Sequence, residues 1–380
     1  MKKVSNAVLI LNCWKINEKG KKMRTKETKK RILAALLALI MAVSTWMPAE
    51  QVKAEVVLPN VTNTTVDTAR QIVYNSSVSE TMSGSDNIRY YKFNLDAASE
   101  IILKGYGWGR KYFYIYDADQ TKVWSGDGYG SFSWSVYLTG GQYYLELDAS
   151  DDVNFSVSKN NLKESFTETQ TKNNDLIDKA NAIDLKKKYK GVMAVNDSID
   201  YFRFKVPAKG KINFNTLNST DNTLKYLFYD KNYNQVYSFT ISSGNKTTQA
   251  FQLAAGNYYL AVTQNSEGWG VGSYNFTMDY TASAPSKPSL TSVKNASGKK
   301  MVVKWKKVKG ISGYELQYAT SSNFKKGLVK KNISSGKTSA TYTKLKKGKT
   351  YYVRMRSYVK VDGKKVYGNW SAKKSVKIKK

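Results

Sequence analysis

Chemistry on this chain must be done with carboxylates, amines and aromatic rings. The sequence has no histidine and a single cysteine, Cys13. Lack of histidine removes Ser-His-Asp and Cys-His nucleophiles, imidazole-ligated zinc and proton shuttling near neutral pH. One cysteine cannot form an internal disulfide, a cysteine zinc site or an iron–sulfur cluster. The acids cluster as Asp117/Asp119, Asp148/Asp151/Asp152 and Asp197/Asp200. Two carboxylates hydrolyse a glycosidic bond only when held about 5–9.5 Å apart across a cleft. Each cluster falls instead at an expected strand end or turn, where Asp bonds its own backbone. No catalytic residue is assigned, and no enzymatic activity is expected.

The aromatic rings give a second kind of chemistry. Residues 105–120 read GYGWGRKYFYIYDADQ, with six aromatics in sixteen positions. Trp108 stands between Gly107 and Gly109, Trp269 between Gly268 and Gly270, and Tyr106 and Tyr129 lie in glycine-rich stretches. Loop aromatics with flexible flanks stack on sugar rings or on a peptide. The competing reading folds them back as lids over the end of a domain. Trp108, Tyr106, Tyr129 and Trp269 are the candidate ligand contacts.

These groups need a scaffold. At 380 residues and 41% hydrophobic the chain builds several cores. Its start reads as a targeting segment. Residues 23–31 are basic, residues 32–43 (ILAALLALIMAV) are apolar, and Val52-Lys53-Ala54 places small residues for cleavage before Glu55. The apolar run is short for a membrane span. Met23 is the better start, and cleavage would leave a secreted chain free of cysteine and without a transmembrane anchor. A secreted multi-domain chain with no disulfide suggests a Gram-positive type of exporter.

The middle of the chain is duplicated. Asn63, Val66, Asp67, Ala69 and Ile72 recur as Asn174, Ile177, Asp178, Ala180 and Ile183, an offset of 111. It holds from Asp86 to Asp197 and from Tyr91-Lys92-Phe93 to Phe202-Arg203-Phe204. It grows to 113 at Tyr116-Asp117 and Tyr229-Asp230, then to 115 at Gly141-Gln-Tyr-Tyr-Leu145 and Gly256-Asn-Tyr-Tyr-Leu260. Each copy opens with apolar residues three apart, a helix-like entry, and continues in period-two alternation punctuated by turns. The pattern predicts an all-β fold of tandem β-sandwiches. Because the offset aligns Phe113–Tyr116 with Tyr226–Tyr229, these aromatics, like Tyr143-Tyr144 and Tyr258-Tyr259, are expected to be mainly core.

Both copies resemble the bacterial pre-peptidase C-terminal domain. The resemblance rests on the Asn-x-x-x-x-x-Ala entry, the Asp197–Phe204 strand, the Tyr-Asp turn and Gly-x-Tyr-Tyr-Leu. The first copy departs by carrying Arg89 where the second has Asp200. The resemblance implies small sandwiches appended to secreted proteases and surface proteins. Some relatives hold calcium on acids of the entry, here Asn63 and Asp67, then Asn174, Asp175 and Asp178. Helix capping explains the same residues, so calcium is admitted by the residue types but no metal or cofactor is assigned.

After a Pro/Ser stretch, the last hundred residues resemble a fibronectin type III domain. Val303 and Trp305 suit its second strand, residues 313–318 its third, Tyr351 its corner tyrosine, and Trp370-Ser371 its last-strand pair. The domains expected are 55–160 and 161–281 for the two repeats, 282–289 for a linker and 290–380 for the third sandwich, after the signal region 1–54. Charge divides along the same line. Residues 284–380 carry 27 basic and two acidic side chains, a net +25, while residues 55–283 are near neutral. Alternation points Lys304, Lys306, Arg354 and Arg356 outward, and so much positive charge attracts polyanions. The sequence therefore reads as a non-enzymatic secreted binding or adhesion protein. Its repeats would contact an extracellular glycan or matrix protein, and its basic domain an anionic cell-wall polymer. The alternatives are an accessory targeting subunit of a secreted hydrolase, or nucleic-acid binding by the basic domain.

Overall fold

The computed structural model describes residues 62–82, 87–170, 173–264 and 271–379. The signal region 1–54, Cys13, Asp86 and the Gly268-Trp269-Gly270 segment lie outside the described residues. The described elements are strands, with one three-residue 3₁₀ turn at Ile177–Lys179.

Three separate apolar clusters form three cores. The first gathers Tyr91, Phe93, Phe113, Val136 and Leu147, the second Phe204, Phe214, Tyr226, Phe228 and Phe276, and the third Val303, Trp305, Tyr314, Val353 and Met355. The duplication is legible in single hydrogen bonds. Ile72 N donates to Lys92 O and Ile183 N to Arg203 O, each at 2.9 Å; Asn75 N donates to Val157 O and Lys186 N to Met278 O, each at 2.8 Å. Asn75 and Lys186 share a left-handed backbone, φ 63° and 67°. Further along, Tyr143 donates to Thr139 O and Tyr258 to Ala254 O, preserving the offset of 115.

The helix-like entries are not helices. The first is a turn running into the two-residue strand Arg70–Gln71, which lies parallel to Ile88–Leu95. The second is the single 3₁₀ turn before Asn181–Ala182. Four or five residues are too few to propagate an α-helix, and the apolar spacing instead faces Ala69, Ile72, Ala180 and Ile183 into the sandwiches.

The copies differ at one corner. In the first, strand Ser99–Tyr116 runs unbroken from one half of the sandwich to the other. It pairs with Val153–Asn161 up to Gly107 and with Gly141–Ala149 from Lys111, while Lys122–Leu138 follows it on its other edge. In the second, the same path is cut into Gly210–Thr220 and Leu224–Asp230, which lie in different sheets.

The third domain packs a three-stranded sheet (Leu290–Ala296, Lys300–Trp305, Ser339–Tyr342) against a five-stranded one centred on Thr350–Val361. The expected linker 282–289 is not free. Ser283 N donates to Lys209 O, Lys306 N to Ser289 O, and the Ser357 hydroxyl to Ser286 O. Each domain also lends a valine to the one before it. Val195 packs against the first core and Val361 against the second.

Candidate binding surfaces and a candidate metal centre

The aromatic tip of the first repeat lies at the corner of the long strand. Trp108 is 74% exposed, Tyr129 68% and Tyr106 42%. They are strand residues, not loop residues. The register jumps between Gly107 and Arg110, and this bulge keeps Tyr106, Trp108 and Arg110 on the outer face opposite Ser131 and Tyr129. Tyr106 and Trp108 meet edge to face at 5.7 Å. The lid reading fails for these three, which stand clear of the core.

The expectation that 111–120 is mainly core holds for half its aromatics. Phe113 and Ile115 are buried, but Tyr112, Tyr114 and Tyr116 point outward and are half-buried. Strand alternation does this: neighbours in a strand face opposite sides. The three rings form a row, with centroids 6.4 and 6.5 Å apart. Arg110 lies over Tyr112 and Lys122 over Tyr114, at 5.0 and 5.3 Å. Cross-strand pairing sets Asp148, Glu146 and Tyr144 beside the row, with Tyr90 opposite Glu146. The second repeat keeps part of this face. Tyr90, Lys92, Tyr116 and Tyr144 correspond to Tyr201, Arg203, Tyr229 and Tyr259, whereas Lys225 and Leu227 replace Tyr112 and Tyr114. Recurrence of large side chains does mark a strand, but only alternate ones are core.

Beneath these surfaces the second repeat carries a buried acid centre. Glu168, Asp197 and Asp200 offer oxygens that lie within 4.8 Å of one another. The strap that brings Glu168 is held from both sides: Ser165 N donates to Lys190 O, and Gly140 N to Glu168 O. Asp197 closes a turn with Ala194, and Asp200 sits in strand Ile199–Val206. Burial and then the neighbouring carboxylates push Glu168 to about 9; burial pushes Glu164 and Asp200 to about 7 and raises Asp197 far above the ordinary range. Tyr274 donates to Asp200. Buried oxygens of Glu164, Glu168, Asn174, Asp175 and Asp197 have no hydrogen-bond partner. A cleft of about 170 Å³, lined by Asp117, Asp119, Asn173, Asp175, Asn196 and Asp197, adjoins them.

Capping does not account for these residues. The 3₁₀ turn has Leu176 at its N-cap and no side-chain cap bond, and Asp67 and Asp178 are exposed. Crowded, buried carboxylates are relieved either by taking up protons, the direction in which these acids are shifted, or by a cation that joins them. An all-oxygen donor set fits a hard divalent cation such as calcium. Glu168, Asp197 and Asp200 are the residues that would hold it. Sequence reading missed Glu168 because it lies ahead of the repeated motif, in the inter-repeat strap. The turn reading holds at Asp117, which accepts from Asp119 N and Thr121 N, whereas Asp152 accepts from the distant Met82 N and Asp148 lies in strand Gly141–Ala149.

The first repeat satisfies the same corner internally. Arg89 stands for Asp200, and Glu80, opposite Val153, stands for Gly191, opposite Tyr274. The Glu80 carboxylate lies 3.1 Å from Arg70 and 3.4 Å from Arg89 and accepts from Tyr91.

In the third domain, Lys346 N donates to the Tyr351 hydroxyl at 3.0 Å, and Trp305 is buried against Tyr314. Trp370 lies between two guanidinium groups, 4.2 Å from Arg354 and 4.4 Å from Arg356. Phe324 and Tyr367 flank them at 4.2 and 3.6 Å. The fibronectin type III domain model matches residues 284–373.

Residues 284–373 form a fibronectin type III domain.

Elsewhere the likeness is partial. The chain is 29% identical over 147 residues to Collagenase ColA of Clostridium perfringens, 36% of this chain and 13% of that protein. It therefore spans a small fraction of this curated relative. A pre-peptidase C-terminal domain of a Bacillus anthracis collagenase is 24% identical with a TM-score of 0.24, covering 26% of this chain and 94% of that one. An Fn3-like protein of Clostridium thermocellum is 24% identical with a TM-score of 0.22, covering 26% and 97%. The two repeats are β-sandwiches, each with its own apolar core.

The fibronectin domain separates its basic residues into two kinds. Lys304 and Lys306 are exposed. Arg354 and Arg356 point outward as expected but are half-buried in the aromatic ladder. Arg354 bonds Gln317 at 2.8 and 3.0 Å, and Arg356 bonds Glu315 at 3.2 Å. The arginines are therefore already engaged, which corrects their assignment as free polyanion contacts. Their charge remains, and Arg356 Nε, buried in the ladder, has no hydrogen-bond partner. Replacing Trp370 by Ala should destabilise this domain by about 2 kcal/mol or more, since each partly desolvated cation–π contact is worth about 0.5–2 kcal/mol. Denaturant unfolding of the wild type and the variant measures it.

Proposed function

We propose that this chain is a secreted, non-catalytic binding protein of the cell surface or matrix. Its two sandwiches contact an extracellular protein or glycan, and its fibronectin domain holds an anionic polymer of the cell wall. The observation that carries the reading is the outward aromatic surface of the repeats. Their cores do not need Trp108, Tyr129 or the Tyr112–Tyr114–Tyr116 row, which lie where a partner can reach them. Amphipathic rings of this kind give large contact area at small cost in side-chain freedom. The similarity to a collagenase makes fibrous collagen the first matrix protein to test. No helix among the described residues is long and apolar enough to cross a membrane, and the sequence of the first residues supports export.

A matrix-protein and glycan array tests the reading. Trp108→Ala and Tyr114→Ala should each weaken binding to the ligand found by about tenfold or more, as expected for hot-spot aromatics. Wild-type binding by both variants would overturn the aromatic-surface reading. The same observations leave one second reading, drawn from the collagenase similarity: the chain targets a hydrolase carried on another polypeptide. Turnover in a peptide and glycan hydrolysis screen by the chain alone would contradict both.

A further inference from the structure

We propose that Lys111 is the positioning residue of the aromatic tip, and the inference rests on the tip being a binding surface. Lys111 is completely buried. Its ammonium donates to Gly107 O at 2.7 Å, Gly109 O at 3.1 Å and Gly130 O at 3.3 Å. No ion pair to it occurs among the described residues; Phe132 covers it at 5.8 Å. The three carbonyls belong to the two strands at the register jump. Gly109 and Gly130 have φ of 70° and 61°, backbone that a side chain resists, and a Cβ on Gly109 would meet the Asp151 carboxylate at 2.0 Å. Trp108 is bracketed by two residues whose carbonyls are both drawn inward to one ammonium. Its own side chain therefore has only the outward direction.

The second repeat closes the corresponding corner without a buried ammonium. Asn218, equivalent to Gly107, is buried and donates to Asn222 O at 2.7 Å and Ile241 O at 3.1 Å. There the long strand breaks, and among the described residues of that corner no aromatic projects. A neutral amide thus suffices to close a corner. An unpaired buried ammonium is the costlier choice, and what accompanies it is a continuous bulged strand that presents Trp108. Holding a contact group in its bound position raises affinity by lowering the ordering cost.

The test compares Lys111→Met, which keeps the length but removes the donors, with Lys111→Gln, which restores a neutral donor. Hydrogen exchange at 105–110 and acrylamide quenching of Trp108, taken as the difference from Trp108→Phe, report the tip without any ligand. Lys111→Met should unfold cooperatively yet exchange about tenfold faster at the tip and quench more strongly, with Lys111→Gln recovering part of the protection. Unchanged exchange and quenching in a folded Lys111→Met overturns the proposal. If Lys111→Met does not fold, a pH titration of the wild type decides. Loss of the ammonium should raise Trp108 quenching below the pH at which surface lysines titrate, and a flat profile there overturns it. Loosening of the tip with unchanged binding to the array ligand supports the positioning role and refutes the tip as the binding surface.

Discussion

Chelating divalent cations will lower the melting temperature of the second repeat by roughly 10–20 °C and leave the first almost unmoved. The size follows from mass action: a ligand at one hundred times its Kd stabilises by about 2.7 kcal/mol, and each kcal/mol shifts a domain of this size by about 4–8 °C. The asymmetry follows from charge. In the first repeat Glu80 is met by Arg70 and Arg89, so the corner carries its own cations. In the second, Glu168, Asp197 and Asp200 converge with no lysine or arginine in an ion pair with them among the described residues. The pH dependence has a definite sign. Without cation, the folded carboxylates titrate near 7 to 9 rather than near 4.5. The folded state then binds more protons than the unfolded one between those values, and stability falls as pH rises from about 5 to 9. With calcium the carboxylates are held ionised and protons compete with the ion, so that fall is abolished. Calorimetry with calcium and with chelator at pH 5.5 and 8.5 measures both. Two transitions indifferent to chelator would refute the metal centre.

Removing residues 284–380 will abolish retention on anionic wall polymer, and retention by the full chain will fall steeply with salt. Charges that bind by displacing counterions lose affinity as a power of salt concentration; six to ten contacts cost about 10³–10⁵-fold between 50 and 200 mM on nucleic acid, and a comparable steepness is expected here. The domain's two acids do not soften its field. Glu315 is tied to Arg356, and Asp362 lies 3.1 Å from Lys186 of the second repeat. Lys304→Glu with Lys306→Glu should reduce wall binding by about tenfold or more without loss of fold. Arg354→Gln with Arg356→Gln should instead cost stability, because both groups sit in the Trp370 ladder. Retention that ignores salt, or that survives deletion, would end the tethering proposal.

The fold was readable because the chain states it twice. Offsets of 111 and 115 pick out positions whose hydrogen bonds coincide, the backbone N–H of Asn75 with that of Lys186 and the hydroxyl of Tyr143 with that of Tyr258. The alternation that turns Arg354 and Arg356 outward leaves Tyr351, Val353 and Met355 in the third core. Two things were hidden. Period-two alternation was not carried through 112–116, so Tyr112, Tyr114 and Tyr116 were merged with the buried Phe113 and Ile115. The acid centre draws on residues from Glu168 to Asp200, spread over a strap, a turn and a strand, and no local spacing reveals that they meet. The Arg89-for-Asp200 exchange was the available signal. One copy carries a positive charge where the other carries a carboxylate.

The valines passed from domain to domain give the chain a direction. Val195 packs against the first core and Val361 against the second. During synthesis the amino-terminal sandwich emerges with the Val195 socket open and receives that valine only after the next stretch of chain is made. A chain shortened from its carboxyl end should therefore leave a small apolar hole in whichever sandwich becomes last. A chain shortened from its amino end loses a domain but leaves every remaining socket filled.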